Sequence, residues 1–158
     1  MNVLAVIPAR GGSKGIPRKN MRLMNGVPLI EHAIRHALEC SMINAVAVSS
    51  DSQEILTFAE QFQEVYALKR SASLSQDAVT LDPVIYDAVL QMEDITSSRY
   101  DAVVTLQPTS PLLSVGTLTK AIEEFESSDC DSIISVVNDP HLSWGRDRNN
   151  EVVPNYKE

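Results

Sequence analysis

Five cations stand ahead of the first carboxylate of this chain. Arg10, Lys14, Arg18, Lys19 and Arg22 all precede Glu31, so residues 1–30 carry +5 and the remainder −13, within a total of −8. Glycines are interleaved with them in the string Ile7-Pro8-Ala9-Arg10-Gly11-Gly12-Ser13-Lys14-Gly15-Ile16-Pro17-Arg18-Lys19-Asn20. Glycine lets backbone N–H groups approach an anion closely. Arg10 adds a bidentate fork and Lys19 a point charge, both suited to phosphate. A basic, glycine-rich loop on an acidic protein is the pattern of a pocket for a small polyanion. The bland alternative, a solvated basic N-terminus, leaves the glycines unexplained. The string holds neither G-x-x-x-x-G-K-[ST] nor G-x-G-x-x-G, so the P-loop and the dinucleotide fingerprint both fail.

Other residue sets carry less. His32 and His36 have a helical metal-ligand spacing, but a third ligand is not evident and both fall opposite an apolar stripe. His141 and Trp144 either pack near a ligand pocket or close the core. Cys40 and Cys130 are too few for a disulfide framework and read as small buried or half-buried side chains. No G-x-S-x-G elbow occurs, so a hydrolase triad has no support.

A loop of this kind needs rigid elements on either side, and the pattern supplies them. Residues 2–8 are an apolar run, as expected for a strand covered on both faces. Leu29, Ile30, Ala33, Ile34, Ala37 and Leu38 then fall on one helical face. Residues 45–48 predict a second buried strand. Ile55, Leu56, Ala59 and Phe62 predict a helix capped by Asp51 or Ser52. Residues 65–68 predict a weaker strand, and Val84, Ile85, Ala88, Val89 and Met92 a helix with Asp82 and Pro83 in its first turn. Residues 102–106 are a strong strand, Leu118, Ala121, Ile122 and Phe125 another helical stripe, and residues 132–137 a fifth strand. Beyond residue 138 the pattern fades into polar text around Trp144 and Val152-Val153.

Strands alternating with helices mean an α/β protein with a mostly parallel sheet and right-handed crossovers. Ligands of such sheets bind at the carboxyl ends of the strands. The polar segments at residues 8–20, 49–51, 69–77 and 107–111 all fall there.

The 158 residues, 44% hydrophobic and 22% charged, fit one globular domain with a real core. The negative total disfavours nucleic-acid and membrane partners. No apolar run approaches the length of a membrane span. Met1 leads into the first strand without a basic start, so a secretory signal is not expected. Together with the cysteine usage, this makes a reduced, cytoplasmic setting the expectation.

The first string resembles the signature of the acylneuraminate cytidylyltransferases, the CMP-sialic acid synthetases. Three further segments resemble the same family in the same order: Val48-Ser49-Ser50-Asp51, the stretch holding Arg70, Leu74 and Asp77, and Leu106-Gln107-Pro108-Thr109-Ser110-Pro111-Leu112. The related 3-deoxy-manno-octulosonate cytidylyltransferases differ in the first loop and carry a carboxylate near the position of Gln107. The resemblance implies a three-layer sandwich with a nucleotide-diphospho-sugar transferase (Rossmann-like) fold. It implies the reaction of CTP with a nonulosonic acid to give a CMP-sugar and pyrophosphate.

On the matching positions, the catalytic residues would be Arg10 and Lys19. The nucleotide site would comprise Ala9, Arg10, Gly11, Gly12, Ser13, Lys19, Asn20, Arg70 and Asp77. The sugar side would be Gln107, Thr109 and Ser110. The family's Mg²⁺ aspartates lie in a segment beyond residue 158, so no metal ligand is assigned. Asp51 could substitute, but its place before a helix favours an N-cap. That later segment also carries much of the family's dimer contact, which implies a homodimer for the longer chain. Residues 1–137 are accordingly expected to be the nucleotide-binding catalytic lobe, and 138–158 the start of a sugar-binding and dimerisation segment. Leu113 stands where many relatives have Arg, and Ala78 and Leu81 replace hydroxyl residues. These departures bear on sugar preference, with legionaminate or pseudaminate as alternatives, while the missing metal ligands leave a CTP-binding module without turnover as a further one.

Overall fold

The computed structural model describes residues 1–12, 15–136, 144–147 and 149–154. Its first strand, β1 (Val3–Pro8), is at most 1% exposed from Val3 to Ile7. A run apolar at every position belongs where helices cover both faces of a parallel sheet. A two-stranded hairpin follows, β2 (Leu23–Met24) and β3 (Val27–Pro28). Two-residue strands are too short to show a period. The signal for this hairpin is Asn25-Gly26, both at positive φ (55° and 87°), as a tight primed turn requires.

Helix α1 (Leu29–Glu39) leads to β4 (Ala45–Ser50), α2 (Gln53–Ala59) and β5 (Val65–Lys69). Helix α3 (Leu81–Thr96) leads to β6 (Ala102–Thr105), and α4 (Val115–Ser127) follows. Asp82 and Pro83 do lie in the first turn of α3. Ser114 caps α4, its hydroxyl accepting from the Thr117 N–H.

The main sheet has the order β5-β4-β1-β6 and every pairing in it is parallel. Leu4 stands opposite Ala45 on one side and Val103 on the other. The alternation of side chains along β1 splits the core in two. Val3, Ala5 and Ile7 pack with α1, α2 and α4, including Ile30, Ile34, Ile55, Leu118 and Ile122. Leu4 and Val6 pack with Ala88 and Met92 of α3 on the opposite face. Helices on both faces make the three layers of the expected sandwich. No helix is long and apolar enough to cross a membrane among the described residues.

Two expectations need correction. The fifth strand is absent: residues 132–136 pair with nothing as a strand, and Val137 lies outside the described residues. A strand exists through its neighbour's hydrogen bonds, and here β6 and residues 131–135 both line an open cleft instead of pairing. The tail, in turn, does contain regular structure. β7 (Trp144–Arg146) and β8 (Val152–Pro154) pair antiparallel, with the Asp147 carboxylate accepting from the Asn149 and Glu151 N–H groups between them.

Candidate active site

The carboxyl end of β1 delivers Ala9 and Arg10. Ala9 is 1% exposed, and its N–H donates to Ser49 O, which continues the β1–β4 ladder. The loop then turns back so that the Asn20 side-chain amide donates to Arg10 O at 3.1 Å. Asn20 is buried within a 3-10 turn spanning Lys19–Met21. The mouth of this loop is therefore closed by its own polar groups, and Arg10 and Lys19 are held near one another in space.

Asp51 supports the same loop. Its Oδ1 accepts from the Gly11 N–H at 2.8 Å. Helix α2 has Ser52 as its N-cap, not Asp51, and shows no side-chain capping bond. The capping role expected for Asp51 is thus replaced by a contact 40 residues back in the chain. Gly11 is needed there, because a Cβ would stand 2.7 Å from the Cβ of Ser52. Arg18, at φ 54°, pairs with Glu54 on the outer side of the loop.

Arg70 follows the end of β5 and is 6% exposed. Its Nη2 donates to Ser49 O at 2.7 Å and its Nε to Ser49 Oγ at 3.2 Å. Burial lowers the pKa of this guanidinium. Asp51 and Asp87 pull it back up, and Arg10 pushes it further down. That last effect reports that Arg10 and Arg70 present like charge to one space. Arg10 Nη1 donates to Asp77 Oδ1 at 2.6 Å, in a pair whose side chains are 38% and 50% exposed. Such a half-exposed pair has little net stability, so a more highly charged anion can displace the carboxylate.

These groups surround a cleft of about 420 Å³ at the carboxyl edge of the sheet. Arg10, Lys19, Asn20, Arg70 and Asp77 line it, together with Gln107 and Thr109 just beyond β6. Three cations against one carboxylate make it electropositive within an acidic chain. Ala9 is buried beside the cleft without lining it, and Gly11, Gly12 and Ser110 are also absent from its lining. Ser13, Lys14 and His141 lie outside the described residues. Ser75, Gln76, Val79 and Thr80 also line the cleft, although the sequence did not single them out, together with Leu81 and Val84. Their signal was the polar run ending at Asp77 that leads straight into a helix start at Thr80, whose first turn opens on the cleft.

Metal ligation finds no support among the described residues. No three His, Cys, Asp or Glu side chains converge on one point. His32 Nε2 donates to Met24 O at 3.1 Å, a structural tie between α1 and the hairpin. Asp51 and Asp77 are engaged by Gly11 and Arg10, and no metal ligand is assigned among the described residues.

A parallel sheet in the order β5-β4-β1-β6, with a polar cleft at its carboxyl edge, is an α/β fold of the Rossmann-like kind. Its fold matches the structure of CMP:2-keto-3-deoxy-manno-octonic acid synthetase complexed with CTP, with a TM-score of 0.66 at 19% identity, over 80% of this chain and 48% of that one. Residues 4–156 match the family model described as cytidylyltransferase, and the chain belongs to that family. It is 39% identical over 123 residues to the CMP-N,N'-diacetyllegionaminic acid synthase of Legionella pneumophila, covering 78% of this chain and 53% of that protein. It is 38% identical over 144 residues to N-acylneuraminate cytidylyltransferase A of Danio rerio, covering 90% of this chain and 32% of that protein. The chain spans about half the length, or less, of the curated relatives it matches.

Proposed function

We propose that the protein activates a sialic acid-type nonulosonic acid, CTP and an N-acylneuraminate giving CMP-N-acylneuraminate and pyrophosphate. The observation that carries this reading is the gathering of Arg10, Lys19, Asn20, Arg70, Gln107 and Thr109 around one cleft. Family membership supports the nucleotide. The sugar is drawn from the names of the relatives.

In the proposed reaction the hydroxyl oxygen on the anomeric carbon attacks the α-phosphorus and gives up its proton to solvent. The bond to the bridging α–β oxygen breaks, and its electron pair leaves on pyrophosphate. Arg10 and Lys19 meet that growing charge without reorganisation. Ala9, Gly11, Gly12, Ser13, Asn20 and Arg70 are assigned to the nucleotide, with Asp77 acting through Arg10. Gln107, Thr109 and Ser110 are assigned to the sugar. Mg²⁺ belongs to this reading as an implication of the family, with its carboxylate ligands outside the described residues. Residues 1–137 are taken as the catalytic lobe and 138–158 as the start of a sugar-binding and dimerisation segment. The reading includes a homodimer of the longer family chain, a cytoplasmic location, and neither nucleic acid nor membrane as partner.

A legionaminate or pseudaminate substrate is the second reading, favoured by the identity to relatives with those names. A CTP-binding module without turnover is the third, favoured by the lack of a converging ligand set among the described residues. Pyrophosphate release from CTP and Mg²⁺ with N-acetylneuraminate, diacetyllegionaminate and pseudaminate in parallel separates them. The proposal expects saturable CTP binding and slow release that is fastest with N-acetylneuraminate. Faster release with another sugar, or none with any, selects the second or third reading.

A further inference from the structure

The bond between Asp51 and Gly11 continues a pattern set by the sheet. Where β1 runs out beside β4, the Ala9 N–H donates to Ser49 O at 3.0 Å. In a parallel ladder the next rung lies two residues further along each strand, which would join the Gly11 N–H to the Asp51 carbonyl. The Asp51 side chain takes that place, with Oδ1 at 2.8 Å from the Gly11 nitrogen. The carboxylate thus extends the ladder one rung beyond the ends of β1 and β4.

The turn that carries Asp51 is itself fixed. The Ser52 N–H donates to Ser50 Oγ at 3.0 Å, and Ser50 is fully buried. Gly11 lies so close to this turn that a Cβ would stand 2.7 Å from that of Ser52. Arg10 is the residue enclosed between these ties. Its two neighbours are pinned to the β4 side, while its own carbonyl faces the other way and accepts from the Asn20 amide. The tie to Asp51 is made by an exposed side chain, so it can be cut without opening the core.

We propose that Asp51 is a positioning residue for the cytidylyl transfer: through Gly11 it fixes the backbone of Arg10, so that the guanidinium meets the phosphates already oriented. The inference rests on the nucleotide reading above and adds a residue that this reading leaves outside the site. Charge supports the same role. Asp51 raises the pKa of Arg70, which burial and Arg10 both lower. Asp51 does not line the cleft, so it offsets the repulsion between Arg10 and Arg70 without filling the space a phosphate would take.

Calorimetric titration of CTP into variants of the 158-residue chain tests this. Asp51→Ala should weaken binding about tenfold, a modest loss for a contact group left out of place. Asp51→Asn, whose amide oxygen still accepts from Gly11, should keep most of the affinity. Added to Arg10→Ala, Asp51→Ala should cost little more, because a residue that acts through another loses its effect once that other is gone. Exchange of the Gly11 amide should quicken in Asp51→Ala and stay slow in Asp51→Asn. Circular dichroism melting confirms that each variant is folded. Full affinity in Asp51→Ala beside a weakened Arg10→Ala overturns this inference alone, whereas full affinity in both overturns the nucleotide reading with it. Additive losses in the double variant, or Gly11 exchange that does not change, also overturn the inference. So does a loss in Asp51→Asn seen only with Mg²⁺ present, which would make Asp51 a metal ligand instead.

Discussion

Arg10 is the residue on which the site's electrostatics turn. It leaves β1 directly, shares one space with Arg70, and holds Asp77 at 2.6 Å. If it meets a phosphate oxygen in the complex, Arg10→Ala should weaken CTP binding by about 1.5–3 kcal/mol, the range for a hydrogen bond to a charged group. Calorimetric titration measures this, and an unchanged affinity removes the loop from the site. Asp77 occupies the edge of Arg10 that a phosphate would use. Asp77→Asn should therefore tighten CTP binding while moving the unfolding free energy by less than about 1 kcal/mol, as expected for a half-exposed pair. Weaker binding would mean that Asp77 orients Arg10 instead of competing for it. Gly11 has a packing reason to be glycine, since its missing Cβ would fall 2.7 Å from a Ser52 atom held close to the backbone. Gly11→Ala should cost about 1–3 kcal/mol through overpacking. It should also loosen the Gly11–Asp51 bond, which faster exchange of the Gly11 amide would report.

Among the elements, the β2–β3 hairpin tests how tightly the basic glycine loop is tied to the scaffold. It begins just after the turn holding Lys19 and Asn20, and it is fastened to α1 through Met24 O and His32. Gly26 sits at φ 87°, where an L side chain strains the backbone. Gly26→Ala should lower stability by about 1–2 kcal/mol. In urea unfolding the midpoint should fall at constant slope. A midpoint that does not move would show that the hairpin frays independently of the core. The hairpin is legible from Asn-Gly alone and not from hydrophobic period, whereas α1, α3 and α4 declare themselves through period and fail to show it only at their ends.

For the whole molecule, the sheet order decides which loops meet. With β1 central between β4 and β6, the ends of β1 and β6 are adjacent, and β5 lies one strand further out. The β1 loop, Arg70 and Gln107 thereby surround one cleft although they are far apart in the chain. On the proposed reading, a base preference for cytidine would belong to this assembled cleft. Equal concentrations of CTP, UTP, ATP and GTP should stabilise the chain in an order headed by CTP, since a ligand raises the melting temperature by its mass-action effect. A larger shift with a purine nucleotide would contradict the assignment.

Local physics wrote several features into the sequence without help from the fold. The alternation of strands and helices follows from periods of two and 3.6 residues. The basic glycine loop follows from what phosphate chemistry needs at a strand end, and the family follows from the strings that hold it. Tertiary structure alone decided the rest, because each remaining feature is a contact between distant residues. Asp51 supports Gly11 from 40 residues away, and Asp77 reaches Arg10 from 67 away. Neither pairing leaves a trace in spacing, which is why Asp51 reads as a helix cap in the sequence. Residues 132–136 show the converse. Their apolar character predicts a strand, but a strand is a relation between two segments, and the hydrogen-bonding neighbour that would complete it is not among the described residues.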